Sequence, residues 1–285
     1  MTCDPLDMNR LYYSFSQFLK ERFGCRVHRL SLHAGFSCPN IDGTLDSCGC
    51  IFCNNASFSH FVDKKNISLE EQISSSMEFA RRRFKAKKFI AYFQSFSGTY
   101  DTPEALEKAY GVIKKFKDIV GLSISTRPDT IDNDKLDVIE SFTKDYMVWI
   151  EYGLQTVHNK SLSFLKRNHT FEDFLKAIEL TKNRNILIAA HLILGLPTES
   201  KQDMLITAKK IQSLPISGVK FHCLHVVKDT GLVPLYNKGN ISLLSLNQYV
   251  DILCDFLENI AEDVVILRVI SDAHPKHLLA PLWIN

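Results

Sequence analysis

The feature that most constrains the fold of this chain is a regular alternation between β-strand and α-helix patterns. Runs rich in β-branched and aromatic residues are separated by stretches in which apolar residues recur with helical spacing. Such repetition requires parallel strands joined by right-handed helical crossovers. Strands are predicted near residues 27–33, 88–94, 120–126, 147–154, 186–194, 219–226 and 264–269.

These six or seven βα units predict an α/β fold, either a partial barrel or a doubly wound sheet. In both architectures the site lies at the carboxyl ends of the strands. The composition agrees, because 45% hydrophobic and 23% charged residues are typical of a globular protein and exclude extensive disorder, collagen and coiled coil. We divide the chain into an N-terminal helical extension (1–26), a barrel (27–230) that contains a loop at 34–65, and a C-terminal segment (231–285) that closes the barrel.

The chain carries no visible targeting or membrane signal. Residues 1–10 include Asp4 and Asp7 and lack the apolar region of a signal peptide. The longest apolar stretch, 186–196, is interrupted by His191 and is too short to cross a bilayer. We therefore expect a cytoplasmic protein without a membrane partner. In a reducing compartment, clustered cysteines favour metal or redox chemistry over disulfides.

Four of the eight cysteines, Cys38, Cys48, Cys50 and Cys53, are clustered in the loop after the first predicted strand. Two thiolates at the spacing of Cys50 and Cys53, with Cys38 from the far side of the loop, suit an iron–sulfur cluster. A structural zinc site with a fourth ligand such as His60 is the main alternative. A redox pair and a chance group of free thiols are the others.

Several motifs along the chain decide between these alternatives. Their order and spacing resemble the YhcC/YtqA group of radical SAM proteins, in the branch that is similar to the catalytic subunit of Elongator. The motifs are CPN at 38–40, GCIFCN at 49–54, YFQ at 92–94, STRPD at 125–129, EYGLQT at 151–156, HTF at 169–171 and HLILGLP at 191–197.

The resemblance implies a partial (βα)6-type barrel with a 4Fe–4S cluster bound by Cys38, Cys50 and Cys53. The fourth iron would bind the amino and carboxylate groups of S-adenosylmethionine (SAM), whose reductive cleavage gives a 5′-deoxyadenosyl radical. Cys48 stands where the group's pattern predicts glycine. We favour Cys50 as the ligand because it keeps the Cys-x-aromatic-Cys ending of the motif.

The same resemblance assigns a set of SAM contacts: Phe52 beside the adenine, Gln94 for the methionine ammonium, Ser125 and His191 near the ribose, and Gln155 with Arg167 for the ribose and the methionine carboxylate. The residues alone allow a structural interpretation as well. Gln94 and Gln155 suit strand ends where side-chain amides satisfy backbone groups, Arg167 suits a solvated helix, and His191 suits an ordinary core position.

Further polar residues are candidates for a substrate cavity. Lys220 and His222 share a face of the sixth predicted strand, whereas His225 falls on the other face unless the strand bends. Arg268 and Asp272 lie around the end of the last predicted strand.

The resemblance to the Elongator-like branch implies a radical SAM enzyme that modifies tRNA, at a wobble uridine. The alternatives are a radical SAM enzyme for a small metabolite or peptide, and a zinc-stabilised RNA-binding protein without catalysis. The expected partners are SAM, a flavodoxin- or ferredoxin-like electron donor, and tRNA. The net charge of +2 neither requires nor excludes RNA, but a basic run at 81–88 suits either a helix end or a phosphate-binding patch.

Overall fold

A computed structural model describes residues 11–57, 61–62, 67–271 and 273–284 of the chain. Its main element is a seven-stranded sheet in which every neighbouring pair is parallel. The strands, in their order across this sheet, are β1 (Val27–Leu32), β2 (Lys88–Phe93), β3 (Ile119–Thr126), β4 (Met147–Gln155), β5 (Leu187–Leu194), β6 (Gly218–Cys223) and β8 (Val265–Arg268). A two-stranded antiparallel sheet joins β7 (Val226–Val227) to β9 (Leu278–Ala280).

Helices follow the strands as the sequence predicts. Several begin at side-chain caps that the sequence displays, including the capping box of Ser68 and Glu71. Thr102 caps another helix, with Pro103 at its first position. The helices are α1 (Phe15–Phe23), α2 (Leu69–Phe84), α3 (Pro103–Gly111), α4 (Asn133–Ser141), α5 (Asn159–Phe164), α6 (Phe171–Thr181), α7 (Lys201–Gln212), α8 (Leu232–Asn237) and α9 (Leu246–Leu257).

The sheet curls into a half-barrel, which confirms the predicted partial radical SAM barrel and excludes the doubly wound alternative. The order follows the chain from β1 to β6, and β8 adds the seventh strand from the C-terminal segment. The proposed boundaries at residues 26/27 and 230/231 stay predictions.

Alternation along each strand divides the side chains between two environments. On β4, Val148, Ile150 and Tyr152 pack into the outer core beneath the helices. Trp149 and Glu151 alternate with them and face the interior of the half-barrel. The outer core is a largely apolar layer with hydroxyl contacts such as that between Tyr152 and Thr181, whereas the buried charged side chains of Glu151 and Lys220 lie on the interior face.

The N-terminal helix closes the amino end of the half-barrel. Phe15 and Phe18 of α1 contact the ring of Trp149 edge-on, at centroid distances of 5.8 and 5.7 Å. Ile90, Met147, Ala189 and Val265 belong to the same apolar cluster. This cluster, which we call the apolar plug, forms the floor of the interior, and the polar residues described next lie above it.

Candidate active site

A buried carboxylate, Glu151, is the centre of a polar layer inside the half-barrel. The side chain of Glu151 has no solvent exposure. Its two oxygens accept five hydrogen bonds at 2.5–3.1 Å, one from each of five other strands. The donors are Arg29 of β1, Tyr92 of β2, Ser123 of β3, His191 of β5 and Lys220 of β6.

The charge of Glu151 is stabilised by its neighbours. Burial by itself would raise the pKa of a carboxyl group. The cations of Lys220 and Arg29, and the hydrogen bond from His191, outweigh burial and hold the pKa of Glu151 well below its usual range. Glu151 is therefore an ionised acceptor over the whole physiological pH range.

His191 is held neutral in this layer. Burial and the nearby Lys220 lower its pKa to about 4, although the Glu151 carboxylate opposes the shift. Because an ionised carboxylate only accepts hydrogen bonds, Nε2 of His191 carries the hydrogen. The His191 ring also lies 5.5 Å from the ring of His222.

Lys220 combines burial with a poorly compensated charge. Its Nζ donates to the hydroxyl of Tyr92 and to Oε2 of Glu151. Burial, together with the cations of Arg29 and Arg268, lowers the pKa of Lys220 to about 7. The ammonium group is thus close to its midpoint at neutral pH.

A cavity of about 490 Å³ opens above the polar layer. Arg29, Tyr92, His191 and Lys220 form its inner end. Most of the side chains predicted for SAM or substrate also line it, namely Phe52, Gln94, Ser125, Gln155, His222, His225 and Arg268, together with Cys53. Residues from all seven strands of the main sheet and from the cysteine loop therefore meet around one space.

The cysteine loop lies beside this cavity, and Cys50 is its buried thiol. Asn40 Nδ2 and Arg167 Nη1 each lie 3.3 Å from Cys50 Sγ as hydrogen-bond donors. Cys38 and Cys53 are close enough to Cys50 that the three thiols influence one another electrostatically, and burial is the main cause that raises the pKa of Cys38. Cys53 faces the cavity and stays open to solvent.

Cys48 points away from this group. Its side chain is exposed, and its backbone N–H donates to Asp46 on the outside of the loop. The glycine before Cys50 has φ +74°, and a Cβ there would approach Ile41 to 3.0 Å. The loop conformation therefore favours Cys50 over Cys48 as a ligand, and the assignment stays a prediction.

The donor set fits an iron–sulfur cluster. Each thiolate of such a cluster binds its own iron, and donors around the sulfurs tune the cluster. The NH groups of Asn40 and Arg167 at Cys50 supply donors of this kind. Across the residues described, no three His, Cys, Asp or Glu side chains converge on a single-ion site. His60, the suggested fourth zinc ligand, lies outside the described residues.

Arg167 is a buried residue with specific contacts, and it is not the solvated helix residue that the sequence also allowed. It follows α5, and its side chain donates from Nη2 to the carbonyl of Gly153 at 2.8 Å and from Nε to His169 at 3.1 Å. A Cβ on Gly153 would lie 3.0 Å from both Arg167 Nη2 and Gln155 Nε2. Glycine at 153 therefore allows the guanidinium to approach the end of β4.

His225 and Asp272 complete the list of predicted residues. Strand β6 ends at Cys223, so the chain bends before His225 and brings its ring to the cavity. Nδ1 of His225 lies 2.9 Å from the carbonyl of Cys223. Asp272 lies outside the described residues, and its role in the cavity stays a prediction.

Sequence reasoning did not assign roles to four residues of the polar layer: Arg29, Tyr92, Ser123 and Glu151. One signal was visible. Strand β4 reads MVWIEYGLQ and is buried throughout, and a charged residue in such a strand requires internal partners. The identity of those partners depends on strands far apart in sequence.

The basic run at 81–88 lies at the amino end of the sheet, because α2 ends at Phe84 and β2 begins at Lys88. The cysteine loop follows the carboxyl end of β1, so the run and this loop are at opposite ends of the half-barrel, although Phe84 of the run stacks on His28, which lines the cavity. Arg81 forms an ion pair with Asp118 and packs over the ring of Phe89. These contacts favour the interpretation as a helix end over that of a phosphate patch at the site.

Comparison with known families identifies the class of protein. The Radical SAM superfamily profile matches residues 47–211, and the Radical SAM C-terminal domain profile matches residues 216–285. The chain therefore belongs to the radical SAM superfamily. This class uses a 4Fe–4S cluster and SAM, which confirms the predicted cofactors and favours the iron–sulfur interpretation of the cysteine loop over the zinc one.

Individual relatives narrow the assignment to the predicted group. The chain is 34% identical to the uncharacterized protein YtqA of Bacillus subtilis, over 95% of this chain and 84% of that protein. It is 34% identical to YhcC of Escherichia coli, over 98% of this chain and 89% of that protein. A shorter similarity, 32% identity over 123 residues, links it to a tRNA uridine(34) acetyltransferase of Methanocaldococcus jannaschii, over 42% of this chain and 22% of that enzyme.

Solved structures agree on the fold. The archaeal Elp3 of Methanocaldococcus infernus superposes with a TM-score of 0.61 at 17% identity, over 86% of this chain and 56% of that chain. Coproporphyrinogen III oxidase (HemN) of Escherichia coli superposes with a TM-score of 0.54 at 16% identity, over 86% and 55%. Among the residues described, no helix has the length and apolar character needed to cross a membrane.

Proposed function

We propose that this protein is a radical SAM enzyme that modifies tRNA, with a wobble uridine as the target. The observation that carries the tRNA substrate is the 32% identity with a tRNA uridine(34) acetyltransferase. The shared half-barrel with an archaeal Elp3 agrees with it at the level of the fold. When bound, the cluster and SAM supply a 5′-deoxyadenosyl radical by reductive cleavage of SAM.

Cys38, Cys50 and Cys53 are the proposed cluster ligands. Support comes from the electrostatic proximity of the three thiols and from the hydrogen bonds that Asn40 and Arg167 donate to Cys50. Cys53 is exposed on the cavity wall, so a cluster held by these three cysteines would face the space proposed for SAM.

The proposed SAM contacts extend from the cysteine loop to the polar layer, where Ser125 is paired with Glu151. Gln94, Ser125 and Gln155 are at the carboxyl ends of β2, β3 and β4, and all three line the cavity. Phe52 presents an apolar ring to the same space, which suits an adenine. Arg167 is proposed for the methionine carboxylate because a guanidinium binds a carboxylate with two parallel hydrogen bonds.

The deeper residues orient the reacting partner and exclude water. Lys220, His222, His225 and Arg268 are proposed to line the substrate side of the cavity, and Asp272 is proposed with them. The apolar plug of α1 seals the amino end, so solvent and substrate enter from the carboxyl end of the strands. A flavodoxin- or ferredoxin-like protein is the proposed electron donor.

An anaerobic reconstitution experiment tests the enzyme class. Protein loaded with iron and sulfide, then reduced with dithionite in the presence of SAM, is expected to release 5′-deoxyadenosine. A protein that binds zinc and does not cleave SAM would contradict the proposal.

Analysis of total tRNA tests the substrate. Nucleosides from wild-type cells and from cells that lack the gene are compared by mass spectrometry, and a modified uridine is expected to disappear or to accumulate as a precursor in the deletion strain. Complementation with the Cys53→Ala variant is the control, because it should not restore the profile. An unchanged nucleoside profile in the deletion strain would contradict the tRNA substrate and favour the alternative of a small metabolite or peptide.

A further inference from the structure

The inner end of the cavity carries a donor, Lys220, to which no SAM contact is assigned. Arg167, proposed for the methionine carboxylate of SAM, donates to the carbonyl of Gly153, whereas Lys220 donates to Glu151, two residues earlier on β4. Two residues of a strand span roughly 7 Å. Ser125 and His191, proposed near the ribose, lie at the level of Glu151, because Ser125 is paired with it and His191 donates to it. A carboxylate held at Arg167 is therefore displaced along the strands from Lys220.

The hydrogen-bonding capacity of Glu151, the one carboxylate described in this layer, is filled by its five donors. Glu151 accepts five hydrogen bonds, although a carboxylate offers about four lone-pair positions. Two of its partners, Arg29 and Lys220, carry positive charge. One negative charge is thus shared by two cations, and the layer has a surplus of positive charge and of N–H donors.

Lys220 is a charged donor of the polar layer that faces the cavity. An ammonium group has three N–H bonds, and the contacts with Tyr92 and Glu151 use two of them. Lys220 also lines the cavity. The charged and titratable groups around it come from every strand that packs against it: Arg29 of β1, Tyr92 of β2, Glu151 of β4, His191 of β5, His222 of its own strand and Arg268 of β8.

We propose that the inner end of the cavity binds an oxyanion, a carboxylate or phosphate group of a small reacting partner, with Lys220 as its charge partner. The proposal rests on the proposed function in one respect, that the bound molecule is a reactant of the radical SAM chemistry. An anion at this position supplies the missing negative charge and an acceptor for the third N–H bond of Lys220. Neutral His191 and His222 surround it without adding charge.

The test uses cluster-loaded protein and measures binding of sodium acetate and of inorganic phosphate by calorimetry, at constant ionic strength with chloride as the background salt. Acetate or phosphate is expected to bind to the wild type. The Lys220→Gln variant is expected to bind the same anion about tenfold more weakly, because the variant loses one charge-assisted hydrogen bond. Lys209→Gln, the same change at an exposed lysine of α7, is expected to match the wild type.

The pH dependence of the wild type gives a second readout that does not depend on a variant. Anion binding is about tenfold tighter to the ammonium form of Lys220, whose pKa is about 7 without ligand, than to the neutral form. Acetate is therefore expected to bind about tenfold more weakly at about pH 8.5 than at about pH 6. Tighter binding of acetate than of phosphate would identify the ligand group as a carboxylate. Tighter binding of phosphate would identify it as a phosphate.

Three outcomes would overturn the proposal: no binding of either anion, equal affinity in Lys220→Gln and Lys209→Gln, or complete displacement of acetate by SAM. The last would put the anion in the position of the SAM carboxylate. SAM cleavage by the wild type is measured separately, so a failure of the proposed function and a failure of the oxyanion site give different results.

Discussion

At the scale of single residues, the site depends on where charge is placed in an interior with little water. Glu151 is ionised because five side chains donate to it, and the pKa of Lys220 is lowered to about 7 chiefly by burial, with the cations of Arg29 and Arg268 adding to the shift. The thiol of Cys50 is distinguished from that of Cys48 by its donors from Asn40 and Arg167. Each of these differences can be measured with one substitution and one control.

The two neighbouring cysteines give a direct comparison. Cys50→Ala is expected to abolish the visible absorbance of the reconstituted cluster, because it removes the buried thiol beside Cys38 and Cys53. Cys48→Ala is expected to retain it, because the Cys48 side chain is exposed. Retention in Cys50→Ala together with loss in Cys48→Ala would reverse the ligand assignment.

Removal of the Glu151 charge is expected to destabilise the fold. Glu151→Gln leaves Arg29 and Lys220 without their shared counter-charge, and the free energy of unfolding should fall by about 3–5 kcal/mol. Chemical denaturation measures the change. Glu179→Gln, in an exposed ion pair with Lys182, is the matched control and should change it by less than about 1 kcal/mol. Similar losses in the two variants would mean that the polar layer contributes little to stability.

Lys220 predicts a particular pH dependence of stability. Its pKa is about 7 in the folded protein and about 10.4 in an unfolded chain, so the unfolded state holds more protons between these values. The free energy of unfolding should therefore rise with pH, by roughly 2 kcal/mol between about pH 7 and about pH 9. Denaturation of Lys220→Met over the same range should show a flatter profile, and a profile parallel to the wild type would contradict the lowered pKa.

At the scale of elements, the end of β4 and the segment after α5 form one unit. Gly153, Gln155 and Arg167 approach so closely that a Cβ at position 153 would require the side chain of Arg167 or Gln155 to shift. Gln155 adopts a positive φ of 77°, which turns its amide toward the cavity as the strand ends. The EYGLQT motif therefore encodes a local geometry as well as a set of contacts.

This geometry predicts the effect of a single methyl group. Gly153→Ala should displace the side chain of Arg167 or Gln155, because the added Cβ would lie 3.0 Å from each. SAM binding to the cluster-loaded protein is expected to weaken by about tenfold, the loss of one charge-assisted contact. Gly111→Ala, at the end of α3 with open space around the added Cβ, is the control. Unchanged affinity in Gly153→Ala would argue against Arg167 and Gln155 as SAM contacts.

The positions of the helices and strands were predicted from the sequence more accurately than the contacts between them. Seven strands were expected and seven lie in the main sheet, and the capping signals at Ser68 and Thr102 mark the starts of α2 and α3. Local patterns carry this information, because helix caps and apolar periodicity act within a few residues. The bend before His225 was not predicted, since it follows from the point at which β6 stops pairing with its neighbours.

At the scale of the whole molecule, the half-barrel is organised in levels along its axis. The apolar plug is at the bottom, the polar layer around Glu151 is above it, and the strand ends with the cysteine loop are at the top. Arg29 connects the first two levels, because its guanidinium lies 4.8 Å from the centre of the Phe15 ring while it donates to Glu151. The N-terminal helix is thus part of the enclosure of the site.

Truncation of the plug tests this arrangement. Phe15→Ala should lower the free energy of unfolding by about 3–5 kcal/mol, because it opens a cavity beside Trp149 and exposes Arg29 from below. Phe79→Ala, at a half-exposed ring on α2, should cost clearly less. Thermal or chemical denaturation compares the two. Equal effects would mean that α1 packs loosely against the sheet.

The sequence by itself determined the parallel α/β architecture, the cysteine spacing and the family, because strand periodicity, helix caps and short motifs are local properties of a chain. Through the resemblance it also predicted His191 and Arg167 as SAM contacts, and it predicted Lys220 as a substrate-cavity residue. Only the tertiary structure decided that Glu151 collects Arg29, Tyr92, Ser123, His191 and Lys220. These residues come from six strands, and their meeting depends on the lateral register of the sheet and on the curl that turns one face inward. Register is set by the packing of the whole core, which no single segment specifies.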